Sequence, residues 1–191
     1  MPIEQGGAVV LPWAVWVVTI LLVVAAVIDG WKLKVPNWIT FPMVIGGWVY
    51  SACFSQAVET WWEGLLWSLV GTVVGLALLL PAYAIGGMGA GDVKLLAGVG
   101  AWVWSIHTFW GFAISAVVGG AIAVGMVLVK RKWTKHKDQF WMIFTEILTV
   151  RDPEQLATIA AERKAQMLLL PYGIPIAIGT IAYFAWTGLL L

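Results

Sequence analysis

Six apolar runs, each close to the length needed to cross a bilayer, constrain the fold of this chain more than any other feature. They lie at residues 8–28, 38–57, 64–85, 93–108, 111–129 and 169–189. A transmembrane helix needs roughly 20 apolar residues, and the hydrocarbon core admits only structures that satisfy their own backbone polar groups. The sequence therefore predicts an all-α, polytopic membrane protein with six transmembrane helices.

The composition agrees with this fold class. Of the 191 residues 61% are hydrophobic and 11% are charged, whereas soluble domains carry about 25% charged residues. A single cysteine, Cys53, provides neither a disulfide framework nor a cysteine zinc site, so we predict no metal and no cofactor. The net charge of +1 gives no reason to expect a nucleic acid, and membrane lipid is the expected surrounding.

Basic residues predict the orientation of the spans. All eleven Lys and Arg residues fall in alternate connections: Lys32 and Lys34 after the first run, Lys94 after the third, and the rest in 130–168. Loops rich in Lys and Arg stay in the cytoplasm. We therefore predict a multi-pass membrane protein with both termini outside and three cytoplasmic loops.

The segment 130–168 is the one long connection within a single predicted domain covering 1–191. Apolar residues recur at helical spacing in its first half, which predicts a cytoplasmic, partly amphipathic helical insertion between spans five and six. A basic connector is the simpler interpretation, and binding of lipid or a partner is the alternative.

Two aspartates at the edges of apolar runs, Asp29 and Asp92, are the candidate catalytic residues. A carboxylate at membrane depth is costly unless it is partnered or solvated, so an acid there is a functional candidate. The simpler alternatives are that Asp29 is an exposed acid pairing with Lys32 or Lys34, and that Asp92 only caps a helix. Both aspartates are predicted on the cytoplasmic side, where helix packing can bring them together for acid–base chemistry.

Nearby residues are predicted to support such a site. Pro36 and Asn37 form a rigid turn that opens the second span. Gly89 and Gly91 form a loop with little side-chain bulk, which another chain can approach closely. Lys94 is either a partner for a carboxylate or substrate, or an ordinary cytoplasmic-side lysine.

Small residues elsewhere predict close contacts between helices. Gly71 and Gly75 in the third run, and Gly119 and Gly120 in the fifth, are the positions concerned.

Three ordered motifs resemble the type IV prepilin peptidases, in particular the short forms associated with Flp/Tad pili. They are Asp29 with the following basic residues and Val35-Pro36-Asn37, then Gly89-Ala90-Gly91-Asp92-Val93-Lys94-Leu95, then Pro171-Tyr172-Gly173-Ile174-Pro175. The likeness runs from about residue 15 to the C-terminus.

The resemblance implies a Gly-x-Gly-Asp intramembrane aspartic endopeptidase with Asp29 and Asp92 as its catalytic pair. Such enzymes cut the basic leader of prepilins or pseudopilins at the cytoplasmic membrane face. Longer relatives also carry a four-cysteine zinc domain and N-methylate the product. This chain lacks those cysteines, so methyltransferase activity is not expected.

Helix ends predict different roles for the two acids. A helix C-terminus disfavours a negative charge and an N-terminus favours one, which makes Asp92 the initial base and Asp29 the initial acid. Two other function classes stay open: a small proton-coupled transporter, and a non-catalytic subunit of a secretion or pilus assembly.

Overall fold

The computed structural model describes residues 10–54, 59–84, 87–130 and 171–190. All regular structure within these ranges is helical, which confirms the all-α prediction for them. The described ranges contain five helices: α1 (Pro12–Lys32), α2 (Asn37–Phe54), α3 (Trp61–Ala84), α4 (Ala90–Lys130) and α5 (Gly173–Trp186). The predicted insertion at 130–168 lies, apart from its first residue, outside the described residues.

In the part of the chain that the structure describes, three helical stretches are long and apolar enough to cross a membrane, judged by length and composition: Pro12–Lys32, Trp61–Ala84 and Ala90–Met126. The shorter helix Gly173–Trp186 is also apolar. The first predicted span, 8–28, is displaced by about four residues from helix α1 at both ends. The helix begins at Pro12, continues past the apolar run to Lys32 and is followed by Leu33 in a left-handed conformation.

The long helix α4 reverses direction at Trp104. Its backbone there has φ 63° and ψ −174°, which is not helical. Asn37 contacts Lys94 before this point, whereas beyond it Gly111 lies beside Thr180 and Gly119 beside Pro175. Because Gly173 at the start of α5 meets Asp29, the two halves of α4, 90–103 and 105–130, run in opposite directions. A straight helix of this length would extend about 61 Å, twice the hydrocarbon thickness.

The bundle therefore has two distinct ends. We call the first the carboxylate end: it holds the C-terminal turns of α1 and α3, the starts of α2, α4 and α5, and both Asp29 and Asp92. We call the second the aromatic end: it holds the start of α1, the end of α2 and the reversal at Trp104. There Trp13 lies edge-on to Tyr50, and Tyr50 stacks on Trp102.

Glycines allow the closest helix contacts in the core. A Cβ on Gly71 would overlap the carbonyl of Gly100, and one on Gly100 would overlap the carbonyl of Gly71. Gly75 lies against the backbone of Leu96 in the same way, so α3 and the first half of α4 pack backbone to backbone. The predicted contact at Gly120 is wrong, because a Cβ there would have no atom within 4 Å.

Candidate active site

Asp29 is held inside the bundle by the start of α5. The last turn of α1 carries it, and only 2% of the residue is exposed. Its Oδ2 accepts a hydrogen bond from the backbone N–H of Gly173 at 2.8 Å. The interpretation of Asp29 as an exposed acid pairing with a neighbouring lysine is therefore wrong.

Gly173 allows this contact because it has no side chain. A Cβ at position 173 would lie 2.9 Å from Asp29 Oδ2 and 3.0 Å from Asp29 Cβ, both too close for an ordinary contact. Gly30, the next residue after Asp29, lies beside Ile174. The C-terminal turn of α1 and the first turn of α5 are thus fitted together at the carboxylate.

Asp92 lies in the first turn of α4 and is 5% exposed. Its Oδ2 accepts the N–H of Gly89 at 3.1 Å, and its own N–H donates to the Gly89 carbonyl at 3.2 Å. An acidic side chain that reaches back to the residue before the helix is one half of a capping box. Asp92 therefore caps α4, as the simpler alternative requires, and this cap also fixes the carboxyl group in place.

The turn before α5 connects the two aspartates. Tyr172 and Met88 line the same cavity, and Met88 directly precedes Gly89, whose N–H donates to Asp92. Gly173, the residue after Tyr172, donates its N–H to Asp29. The turn therefore joins the surroundings of two carboxyl groups that are 63 positions apart in the sequence.

A backbone contact makes a second connection between the aspartates. Gly91 packs against the backbone of Val35. A Cβ on Gly91 would be 2.6 Å from the Val35 carbonyl oxygen and 3.1 Å from the Val35 nitrogen. Val35 belongs to the loop between α1 and α2 and is 2% exposed. The loop that follows Asp29 therefore packs on the residue that precedes Asp92.

The remaining predicted site residues hold the start of α2 beside α4. The Pro36 carbonyl accepts the N–H groups of Ile39 and Thr40, which starts the helix. The Asn37 side-chain oxygen accepts a hydrogen bond from Lys94 Nζ at 3.1 Å, and the same ammonium lies 4.7 Å from the centre of the Phe41 ring. Lys94 thus contacts α2.

Tyr172 and Gly173 are not among the residues predicted to form the site. Both belong to the motif Pro171-Tyr172-Gly173-Ile174-Pro175, which supports only the family resemblance. The glycine in that motif is the one local feature that indicates a site, because a residue without a side chain at the start of a helix permits a close backbone approach. Its partner, Asp29, is 144 positions away and is not predictable from local sequence.

These contacts place two buried carboxyl groups at the same end of the bundle. Carboxyl groups in such surroundings can hold different protonation states, which allows one to accept and the other to donate a proton.

Comparison with known proteins gives one match. A model of the type IV leader peptidase family matches residues 16–124, more than half of the chain, and the match includes Asp29 and Asp92 but ends before the Tyr172–Gly173 turn. No curated protein and no solved structure matches the chain.

Proposed function

Because the chain belongs to the type IV leader peptidase family, we propose that it is an aspartic endopeptidase that removes the basic leader of prepilins or pseudopilins. Asp29 and Asp92 are the catalytic pair in this proposal. The observation that supports it is the burial of both acids at one end of the bundle: Asp29 accepts the N–H of Gly173, and Asp92 accepts the N–H of Gly89.

The proposed reaction is the addition of water to a peptide bond. Asp92, ionised, takes a proton from water as the water oxygen attacks the scissile carbonyl. Asp29, protonated, donates a hydrogen bond to the developing oxyanion. Its proton then goes to the leaving nitrogen as the C–N bond breaks. A proton passed from Asp92 to Asp29 restores the starting state.

The assignment of base and acid comes from the ends of the helices that carry the two residues. Asp92 is in the first turn of α4 and Asp29 in the last turn of α1, and the helix dipole is worth about 0.3–1 kcal/mol at such positions. Each carboxyl group also accepts one backbone N–H. Because Gly173 begins α5, the start of that helix favours negative charge on Asp29 and offsets the end of α1. Neither term separates the two roles, and the assignment of base and acid stays a prediction. A proton located on Asp92 in the free enzyme, by neutron diffraction, would reverse the assignment.

We further propose six transmembrane spans with both termini outside and the active site at the cytoplasmic face of the inner membrane. The reversal of α4 at Trp104 supports two spans within that helix. Lys32, Lys34 and Lys94 all lie at the carboxylate end, and Glu63 lies in the first turn of α3 at the opposite end. A cytoplasmic carboxylate end agrees with the rule that basic residues stay inside.

Co-expression with a small protein that carries a basic leader ending in glycine, followed by one apolar helix, tests the proposal. The chain should release the leader, which is detected as a loss of mass from the substrate. Asp29→Asn and Asp92→Asn should each abolish the cleavage. Asparagine retains an oxygen that can accept the N–H of Gly173 or Gly89, so both variants should fold and insert normally.

Glu63→Gln is the matched control, because it removes a carboxylate from the opposite end of the bundle and should leave cleavage unchanged. A variant of Asp29 or Asp92 that still processes the substrate would refute the assignment. Proton-driven uptake without cleavage would favour a transporter. Both acids lie at one end of the bundle, which disfavours a proton path across the full bilayer depth.

A further inference from the structure

An apolar cavity of about 270 Å³ lies beside the candidate active site. It is enclosed by the end of α3, the second half of α4 and the start of α5. Its lining includes Met88, Phe112, Ser115, Ala116, Gly120, Ala123 and Tyr172.

The lining has almost no hydrogen-bonding capacity to offer. Apart from Tyr172, the one hydroxyl side chain among the lining residues is Ser115. Its Oγ already donates to the carbonyls of Gly111 and Ile176. Pockets for drug-sized molecules usually measure about 300–1,000 Å³. The cavity is smaller than these and apolar, so it suits hydrocarbon side chains.

The cavity continues from the catalytic turn into the membrane. Tyr172 and Met88 form part of its wall. Gly173, next to Tyr172, donates its N–H to Asp29, and Gly89, next to Met88, donates its N–H to Asp92. From Ala123 to Phe112 the cavity extends about 16 Å along α4, about half of the hydrocarbon core. Ala116 and Gly120, on the same wall, are exposed, so the cavity opens at the surface of the bundle.

We propose that this cavity is the subsite for the apolar segment of the substrate that follows the scissile bond. The inference rests on the proposed function. A peptide whose scissile carbonyl lies at the two carboxyl groups passes Tyr172. Its polar leader stays at the membrane surface, whereas the apolar residues after the bond enter the half of the bilayer where the cavity lies. Burial of their side chains against an apolar wall is favourable.

Gly120 controls how large these side chains can be. A Cβ at position 120 would have no atom of the described residues within 4 Å, so this part of the chain leaves the space that it faces open. A larger residue there fills the cavity without a clash against the protein. Gly125, five residues further along α4, also has no atom within 4 Å of a Cβ but does not line the cavity, which makes it a matched control.

The test compares Gly120→Leu and Gly125→Leu on two leader substrates, one with leucine and one with alanine in the first positions after the bond. For the leucine substrate, Gly120→Leu should lower kcat/KM about tenfold or more, as expected when a hydrophobic pocket loses room for several methylenes. For the alanine substrate, the same variant should change kcat/KM less than about threefold. Gly125→Leu should change neither.

Equal losses on both substrates, or no loss with Gly120→Leu, would overturn the inference and leave the cavity to a lipid chain. If the wild-type protein cuts neither substrate, the proposed function fails instead. Crosslinking then tests the cavity separately. A substrate with a photoreactive apolar side chain after the bond, added to Asp29→Asn, should label the segment 112–123 of α4. Labelling confined to α1 and α2, which do not line the cavity, would overturn the subsite.

Discussion

The two ends of the bundle are built from different kinds of contact. At the aromatic end, aromatic rings fill the space between helices. The ring centroids of Trp13 and Tyr50 are 5.1 Å apart, and those of the stacked Tyr50 and Trp102 are also 5.1 Å apart. At the carboxylate end, backbone groups fill this space, because Gly91 meets Val35 and Gly173 meets Asp29. Ring packing buries large apolar areas and stabilises the fold. Glycine contacts instead bring backbone groups close to the two carboxyl groups and to the loops that carry them.

This difference predicts that changes toward the aromatic end alter stability and that changes at the carboxylate end alter cleavage. Substitutions of one kind, placed in the two regions, separate these effects. Glycine to alanine is the most useful of them, because it adds one methyl group and nothing else.

Gly100→Ala should have the largest effect, a loss of folding stability. A Cβ at this position overlaps the carbonyl of Gly71. Neither group can rotate away, because the backbone fixes the direction of the Cβ and the carbonyl is itself backbone. Overpacking of a core costs about 1–3 kcal/mol and occasionally more, and we expect the upper end of this range. Thermal unfolding in detergent measures it. Gly125→Ala, with open space around its Cβ, should instead be neutral or slightly stabilising, and equal stability of the two variants would contradict the backbone contact.

Gly91→Ala should have its main effect on cleavage. The added Cβ would lie 2.6 Å from the Val35 carbonyl, which pushes the loop after α1 away from the start of α4 and moves Asp29 relative to Asp92. A displacement of about 1 Å at a catalytic site can lower the rate 100-fold, so we expect at least a tenfold loss in kcat/KM with the fold retained.

Gly30→Ala is the control for Gly91→Ala. Position 30 adjoins Asp29, but its Cβ would make an ordinary contact of 3.5 Å with Ile174, so cleavage should persist. If both variants cleave normally, the close packing at Gly91 does not position the carboxyl groups.

The reversal at Trp104 gives a third prediction, on the direction of a stability difference. Its φ of 63° and ψ of −174° fall in a region that is nearly restricted to glycine and costs other residues about 1–3 kcal/mol. Trp104→Gly and Trp104→Ala lose the same ring, which stacks on Trp67 and donates to Ser51. The glycine variant should nevertheless be more stable by about 1–3 kcal/mol.

A continuous helix at Trp104 predicts the opposite order, because alanine is favoured over glycine by about 1 kcal/mol inside a helix. Chemical denaturation of the two variants in mixed micelles distinguishes the alternatives. An alanine variant of higher stability would exclude the reversal and the six-span topology that depends on it.

The sequence predicted the helical fold well because apolar runs of bilayer length permit few other structures. It located the boundary between the fourth and fifth runs at about 109–110, whereas the reversal occurs at Trp104. No glycine or proline marks that residue. The tryptophan has a glycine-like backbone conformation, and its ring stacks on Trp67 and donates a hydrogen bond to Ser51. Tertiary contacts of this kind have no local signal.

The candidate site was predictable in part for a similar reason. Asp29 and Asp92 stand out because acids are costly beside apolar runs, and the rarity of charge makes them visible. The surroundings of each acid were not visible. That Gly173 donates to Asp29 depends on a contact across 144 positions, and the open space at Gly120 depends on how α3 and α5 pack around α4. Small residues predicted a close contact at Gly71 and at Gly120 alike, and only the first exists.

Lys94→Met should have the smallest effect and tests whether the carboxylate end also depends on side-chain contacts. Methionine keeps the apolar stem but loses the hydrogen bond to Asn37 and the cation over Phe41. An exposed cation–π contact is worth about 0.5–1 kcal/mol, so stability should fall by less than about 1 kcal/mol. Cleavage should fall only a few-fold, because Val35 and Gly91 still hold the loop. Lys94→Arg, which retains a donor and a cation, should restore the rate. Complete loss of cleavage in a folded Lys94→Met protein would show instead that the ammonium acts on the substrate, and the backbone contacts at this end would then not be sufficient to build the site.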